Sequence, residues 1–154
     1  MTKAKQRGLA VAAMLALVIA VYFAWQALGK QQTIHAELRT ARMEQAEAAA
    51  PDGVLQAQEL LAGPAEQDGV TLHRAAYYPQ AQALVCFFED EDPHRDIYPA
   101  ALPDVNATIL PEEYGITARV FEDVPPEALS DGIVVDLTDW QFESSHPVTF
   151  ALDG

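Results

Sequence analysis

The densest chemistry in the chain is the run Glu89-Asp90-Glu91-Asp92-Pro93-His94-Arg95-Asp96. Five carboxylates and an imidazole within eight residues could give oxygen ligands to a hard cation such as calcium, with Asp90, Asp92, His94 and Asp96 as the candidate ligands. The spacing is not that of an EF-hand, which alternates ligands about a required glycine, and Arg95 would oppose a cation. The run therefore reads as a charged loop tip. Its second use is recognition: Glu89, Asp90, Glu91 and Asp92 are candidate contacts for a protein partner. Trp140, in TDWQF, joins them if exposed, because tryptophan is enriched at interface hot spots. The expected place for Trp140 and Phe142, as for Tyr77-Tyr78 and Phe87-Phe88, is nevertheless the core or a sheet face, where large rings supply buried area.

The remaining reactive side chains suggest no catalysis. His35, His73, His94 and His146 fall on a stalk, a strand, a loop and a turn, and none pairs at the i, i+4 spacing of a helical metal motif. Cys86 sits between Val85 and Phe87, where a cysteine behaves as a small hydrophobe rather than an activated thiol. Ser130, Ser144 and Ser145 lack a nucleophile-elbow context, and there is no glycine-rich phosphate loop to hold a nucleotide. One cysteine in 154 residues excludes an intramolecular disulfide, a thiolate zinc cluster and a CxxC pair. Nothing calls for a cofactor, and the expectation is a non-enzymatic protein.

Charge narrows the partners. The formal net charge is −14, and beyond Pro51 twenty acidic residues face only Arg74, Arg95 and Arg119, a balance of −17. Nucleic acid is excluded, since neutralising phosphates needs clustered Lys and Arg. The plain consequence of the charge is a solvated surface. The sharper one is electrostatic steering of a basic partner, with binding that weakens as salt rises.

These residues must be positioned by a chain that divides sharply. Leu9 to Leu28, LAVAAMLALVIAVYFAWQAL, contains no charge and as a helix spans roughly 30 Å, the thickness of a bilayer's hydrocarbon core. It exceeds the apolar core of a signal peptide, and Tyr22, Phe23 and Trp25 crowd one end as interfacial aromatics do. A retained anchor is expected, although Ala27-Leu28-Gly29 offers the small residues a signal peptidase reads. Lys3, Lys5 and Arg7 before the segment are matched in number by Lys30, Arg39 and Arg42 after it, but the first set, with the α-amino group, is packed into seven residues, which favours a cytoplasmic tail over 1–8 and a single pass of the cell (inner) membrane over 9–29. The remainder then lies in a periplasm or an equivalent space.

Residues 30–50 carry good helix formers without Pro or Gly and predict a stalk helix, stopped by Pro51-Asp52-Gly53. Residues 51–154 predict an acidic α+β domain with an antiparallel sheet and short helices. Its expected elements are a helix over 54–62, strands over 69–78, 83–89, 116–121, 133–137 and 148–152, and a helical turn at 125–129. Residues 90–111, with Pro93, Pro99, Pro103 and Pro111, read as one long irregular connection.

The start KQRG, followed by a long apolar helix, a soluble helix and a β-rich domain, resembles the layout of type IV pilins and pseudopilins. The resemblance covers about the first fifty residues and implies cleavage after Gly8 and a structural subunit of an envelope machine. The glutamate such proteins carry five residues into the mature chain is replaced here by Ala13. The leading expectation is a membrane-anchored accessory, assembly or inhibitory protein that binds a basic or membrane-embedded protein partner. A pseudopilin-like subunit and a small metal-dependent envelope enzyme are the alternatives.

Overall fold

The computed structural model describes residues 3–36, 38–99, 107–141 and 144–152. Helix α1 runs from Lys3 to His35, about 50 Å at 1.5 Å per residue, and contains both Leu9 and Leu28. Its portion Val11–His35 is long and apolar enough to cross a membrane. The large side chains from Val11 to Leu28, including Met14, Leu17, Tyr22, Phe23 and Trp25, are all exposed. From Gly29 one face of the helix is covered, with Gly29 and Thr33 buried while Gln31, Gln32 and His35 stay exposed.

The stalk expected over 30–50 is not one helix. α1 stops at His35 and α2 begins anew at Ala41, ending at Ala49 ahead of Pro51. The end of α1 is satisfied by the fold: the Arg74 guanidinium donates to the Ile34 carbonyl at 3.2 Å, and Ala36 N–H closes onto Thr33 O at 3.1 Å. Thr40 then caps α2, its hydroxyl accepting from Met43 N–H at 3.3 Å and donating to Glu122 at 2.5 Å. Helix propensity is worth only tenths of a kcal/mol per residue. It yields here to burial of Met43, with Ile34, Leu38 and Ala46 packed around it, on the sheet.

The sheets are antiparallel throughout. The first comprises β1 (Gln58–Glu59), β2 (Ala65–Gln67), β3 (Val70–Tyr78), β4 (Ala83–Asp90), β6 (Ala107–Ile109) and β7 (Ile116–Phe121). Their order is β1-β3-β4-β7-β6, with β2 also on β3. The second is β5 (Arg95–Pro99), β8 (Ile133–Asp139) and β9 (Ser145–Phe150), in the order β5-β8-β9. A 3-10 turn over Pro126–Leu129 precedes β8, with proline at its start.

β4 explains the layering. Successive side chains of a strand point to opposite faces. Leu84, Cys86 and Phe88 enter a core shared with Ile97, Val135, Leu137 and Phe150 of the second sheet. Ala83, Val85 and Phe87 enter a second core with Met43, Ile116, Ala118 and Val120. The molecule is thus an α+β arrangement of three layers: the α1 end with α2, the large sheet, and the small sheet.

Two further expectations change. Residues 54–62 are not a helix; they include β1, whose Gln58 and Glu59 pair with Tyr77 and Ala76, while Leu60 N–H donates to Ala75 O at 2.9 Å. Nine residues are too few to hold a helix without packing, whereas the open edge of β3 needs hydrogen-bond partners. The stretch 90–111 is not uniformly irregular, since β5 and β6 form within it against β8 and β7. Residues 100–106, with Pro103, lie outside the described residues.

The turn between Glu113 and Ile116 fixes α1. Tyr114 and Gly115 both have positive φ, 54° and 79°, as a two-residue hairpin turn requires. This sets the Tyr114 ring on Gly29, where any Cβ would overlap it, and edge-on to Trp25 at a centroid distance of 5.8 Å. Overpacking such a contact costs roughly 1–3 kcal/mol. Gly29→Leu in the full-length, detergent-solubilised protein is therefore expected to speed tryptic cleavage at Arg39 and Arg42 by about tenfold or more, through local opening. Adding Tyr114→Ala should reverse most of that gain; equal cleavage of wild type and Gly29→Leu would show the contact to be unimportant.

Candidate functional site

The acidic run divides between two elements. Glu89 and Asp90 finish β4, residues 91–94 form a tight turn, and Arg95 and Asp96 open β5. The turn is held by its own carboxylates: Asp90 Oδ1 accepts from Asp92 N–H at 2.8 Å, and Asp92 Oδ1 from His94 N–H at 2.9 Å. Arg95 donates to Asp90 at 2.6 Å and to the Asp68 carbonyl at 3.1 Å, tying this turn to the one between β2 and β3. The hydrogen bond to Asp90 raises the Arg95 pKa against the opposing effect of burial, with the charges of Asp90, Asp92 and Asp68 adding to it.

The candidate ligands Asp90, Asp92, His94 and Asp96 do not converge. Asp90 and Asp92 turn to Arg95 and to backbone N–H groups, while Asp96 lies 3.8 Å from Arg119. His94 instead faces a tryptophan. Among the described residues no group of three His, Cys, Asp or Glu side chains is arranged to hold a metal ion.

The partner-binding candidates do come together. Arg95 pairs with Asp139 across β5 and β8, so the residue after β8 lies beside the residue before β5. Trp140 N–H donates to His94 O at 2.9 Å, and the two rings stand 6.3 Å apart, tilted by 38°. Trp140 is 64% exposed, which corrects the expected core position. It follows the last β8 residue, and the following turn, in which Asp139 accepts from Ser144 N–H at 3.0 Å, swings it outside the inter-sheet core. Phe142 lies outside the described residues. Glu91 and Asp92 are exposed in the same turn as His94, against which Trp140 stands, so carboxylates and an indole share one edge.

The same edge meets α1. Glu89 binds Lys30 of α1 and His73 of β3, the latter at 2.7 Å, and Thr33 donates to Glu113 at 3.0 Å. Burial would raise the Glu89 pKa, but the hydrogen bonds and charges of Lys30 and His73 outweigh it and hold the carboxyl below its ordinary value. Lys30, Tyr114 and Arg119 were not apparent as site residues in the sequence. The Tyr-Gly pair in EEYGI was the readable signal for a tight turn; Arg119 had none beyond its place in an alternating strand.

The other reactive groups stay apart. Cys86 is fully buried, which pushes its thiol pKa up and removes it from thiolate chemistry. His146 lies in β9 rather than a turn and meets Asp68 at 2.5 Å. Comparison with family models, curated proteins and solved structures finds no match to this chain.

A carboxyl whose folded pKa is depressed adds stability above its unfolded value, near 4.3 for Glu, and loses it as pH falls through the folded value. The melting-temperature gap between wild type and Glu89→Gln should therefore be open at about pH 5 and close below about pH 4. A gap that stays fully open at about pH 3 would contradict the Lys30–Glu89–His73 account.

Proposed function

We propose that the protein is a single-pass, membrane-anchored binding module without enzymatic activity, acting as an accessory, assembly or inhibitory factor. α1 crosses the cell (inner) membrane with its N-terminus in the cytoplasm, and the acidic domain works in the periplasm or its equivalent. The partner is a protein, basic or membrane-embedded, that docks on the edge formed by Glu91, Asp92, His94 and Trp140.

The observation that carries this reading is the exposed Trp140 set against His94 among carboxylates. An exposed indole beside like charges is the composition of a docking anchor: the ring supplies buried area on binding, and the charges select the partner and speed encounter. Support for the anchor comes from the exposed apolar length of α1 up to Leu28. Gly29 is packed against Tyr114, so a chain cut at that glycine would lose the Trp25 contact. With α1 in the bilayer, the docking edge sits near the membrane surface, where a membrane-embedded partner presents its flanking Lys and Arg.

Affinity capture from detergent-solubilised membranes tests the reading. Wild type should recover a basic or membrane-embedded protein at about 50 mM salt and lose most of it at about 500 mM, where the Debye length falls to a few ångström. Trp140→Ala should weaken recovery by roughly tenfold or more, the scale of a hot-spot truncation. Recovery that is indifferent to both changes would refute the proposed edge, and protease accessibility of the domain in intact spheroplasts checks the orientation.

A further inference from the structure

Beside the docking edge, with which it shares Asp92, β4, β5 and β7 enclose a cleft of about 270 Å³. Its lining includes Phe88, Ile97, Arg95 and Arg119 with five carboxylates, of which Glu89 is engaged with Lys30 and His73, and Asp90, Asp92, Asp96 and Glu112 are the others. Arg119 is the unusual member. Ile116, Ala118 and Val120 of β7 face α2, so Thr117, Arg119 and Phe121 face the small sheet, and arginine occupies an inward position there. It is only 5% exposed.

A guanidinium carries five N–H donors, and burying it unpaired is costly. Among the described residues the Arg119 guanidinium makes no hydrogen bond; its ionic neighbour Asp96 stands 3.8 Å away, beyond hydrogen-bonding distance, and its Nε is buried without a partner. Asp90 Oδ2 and Arg95 Nε, which line the same cleft, are likewise buried and unpartnered. All three buried, unpartnered side-chain atoms found among the described residues thus lie around this one cleft, a concentration that calls for an explanation.

We propose that this cleft binds a carboxylate on Arg119, carried by a ligand whose positive charge meets Asp90, Asp96 and Glu112. A guanidinium and a carboxylate match as a two-pronged pair. A phosphate dianion would be repelled by the surrounding acids, and a bare cation would be opposed by Arg95 and Arg119. The shared chemistry is a carboxylate with a cationic group a few ångström away, found at the free C-terminus of a polypeptide ending in a basic residue and in a free basic amino acid. The cleft stands independently of docking at Trp140.

The test is calorimetric titration of the full-length protein in detergent with L-lysine, the tripeptide Gly-Gly-Lys, its C-terminal amide, and cadaverine. Saturable binding of the free-acid tripeptide or of lysine is expected, with the amide about tenfold weaker or worse and cadaverine not bound, since a lost charge-assisted contact costs more than 1 kcal/mol. Tighter binding of the tripeptide identifies a polypeptide terminus, and tighter binding of lysine a free amino acid. Arg119→Gln should abolish binding. Because that change touches the core, Asp96→Asn, at a half-exposed position, is the second variant. Removing the competing carboxylate should tighten acetate binding by roughly threefold or more. No saturable binding by wild type up to about 10 mM, equal binding of acid and amide, or an Asp96→Asn variant no tighter for acetate would each overturn the inference. Loss of Trp140-dependent capture with cleft binding intact would sink only the docking reading, and the converse only this one.

Discussion

β4 is apolar on both faces, and a strand of that kind must be covered twice. Burying each Leu, Val or Phe side chain is worth about 1.5–3 kcal/mol, so leaving the Val85 and Phe87 face in water would forfeit much of a small domain's margin. The small sheet covers one face. The other is covered by Ile34, Leu38, Met43 and Ala46 from the helical segment ahead of the sheets. The end of α1 is therefore a structural layer of the domain rather than a flexible leash. Its direction is set by contacts along its length: Trp25 and Gly29 on Tyr114, Lys30 on Glu89, Thr33 on Glu113 and the Ile34 carbonyl on Arg74.

That docking has an electrostatic consequence. The turns at 89–94 and 113–115, with Trp140 held to His94, are assembled beside Gly29 and Lys30, where the exposed part of α1 ends. With α1 in lipid, as proposed, carboxylates such as Glu91 and Asp92 stand close to headgroups that are themselves anionic. The two surfaces repel within a Debye length, about 8 Å at physiological salt. Lys30 relieves this only at Glu89, which it neutralises. A basic protein segment placed between the domain and the bilayer would be attracted to both, which is the physical sense in which a membrane-embedded partner suits this edge.

What the sequence revealed depended on how local the determinants were. The apolar run ALVCFF and the alternation of ITARVF placed β4 and β7 to within a residue, because burial of a strand is written in its own side chains. The end of β3 is marked by Pro79, whereas β2 depends on the turn at Asp68 and Gly69, both at positive φ. Residues 30–50 and 54–62 misled because their helical pattern was real but weak, while the deciding terms came from distant residues: Arg74 ending α1, and the free edge of β3 capturing Gln58 and Glu59. Trp140 was misplaced for the same reason. Its exposure depends on the pairing of Arg95 with Asp139, a register between segments more than forty residues apart. Arg119 was equally hidden, since a lone arginine in a strand does not disclose which face is inward.

The fate of the cations sharpens the meaning of the acidic composition. Beyond Pro51 the domain has three, and each is turned inward. Arg74 spans Glu59 and the end of α1, Arg95 links two acidic turns, and Arg119 lies between the sheets; their side chains are 25%, 18% and 6% exposed. Lys30 and Arg42, though outside that count, are engaged with Glu89 and Asp123. Arg74 and Arg95 thus act as fasteners within the fold, Arg119 lies buried between the sheets, and carboxylates outnumber cations on the domain's surface. A surface of mixed sign would cancel its field within a few ångström, whereas this one sums over the domain and is limited chiefly by salt. If a partner is selected by charge, as proposed, the placement of these three arginines matters as well as the number of acids.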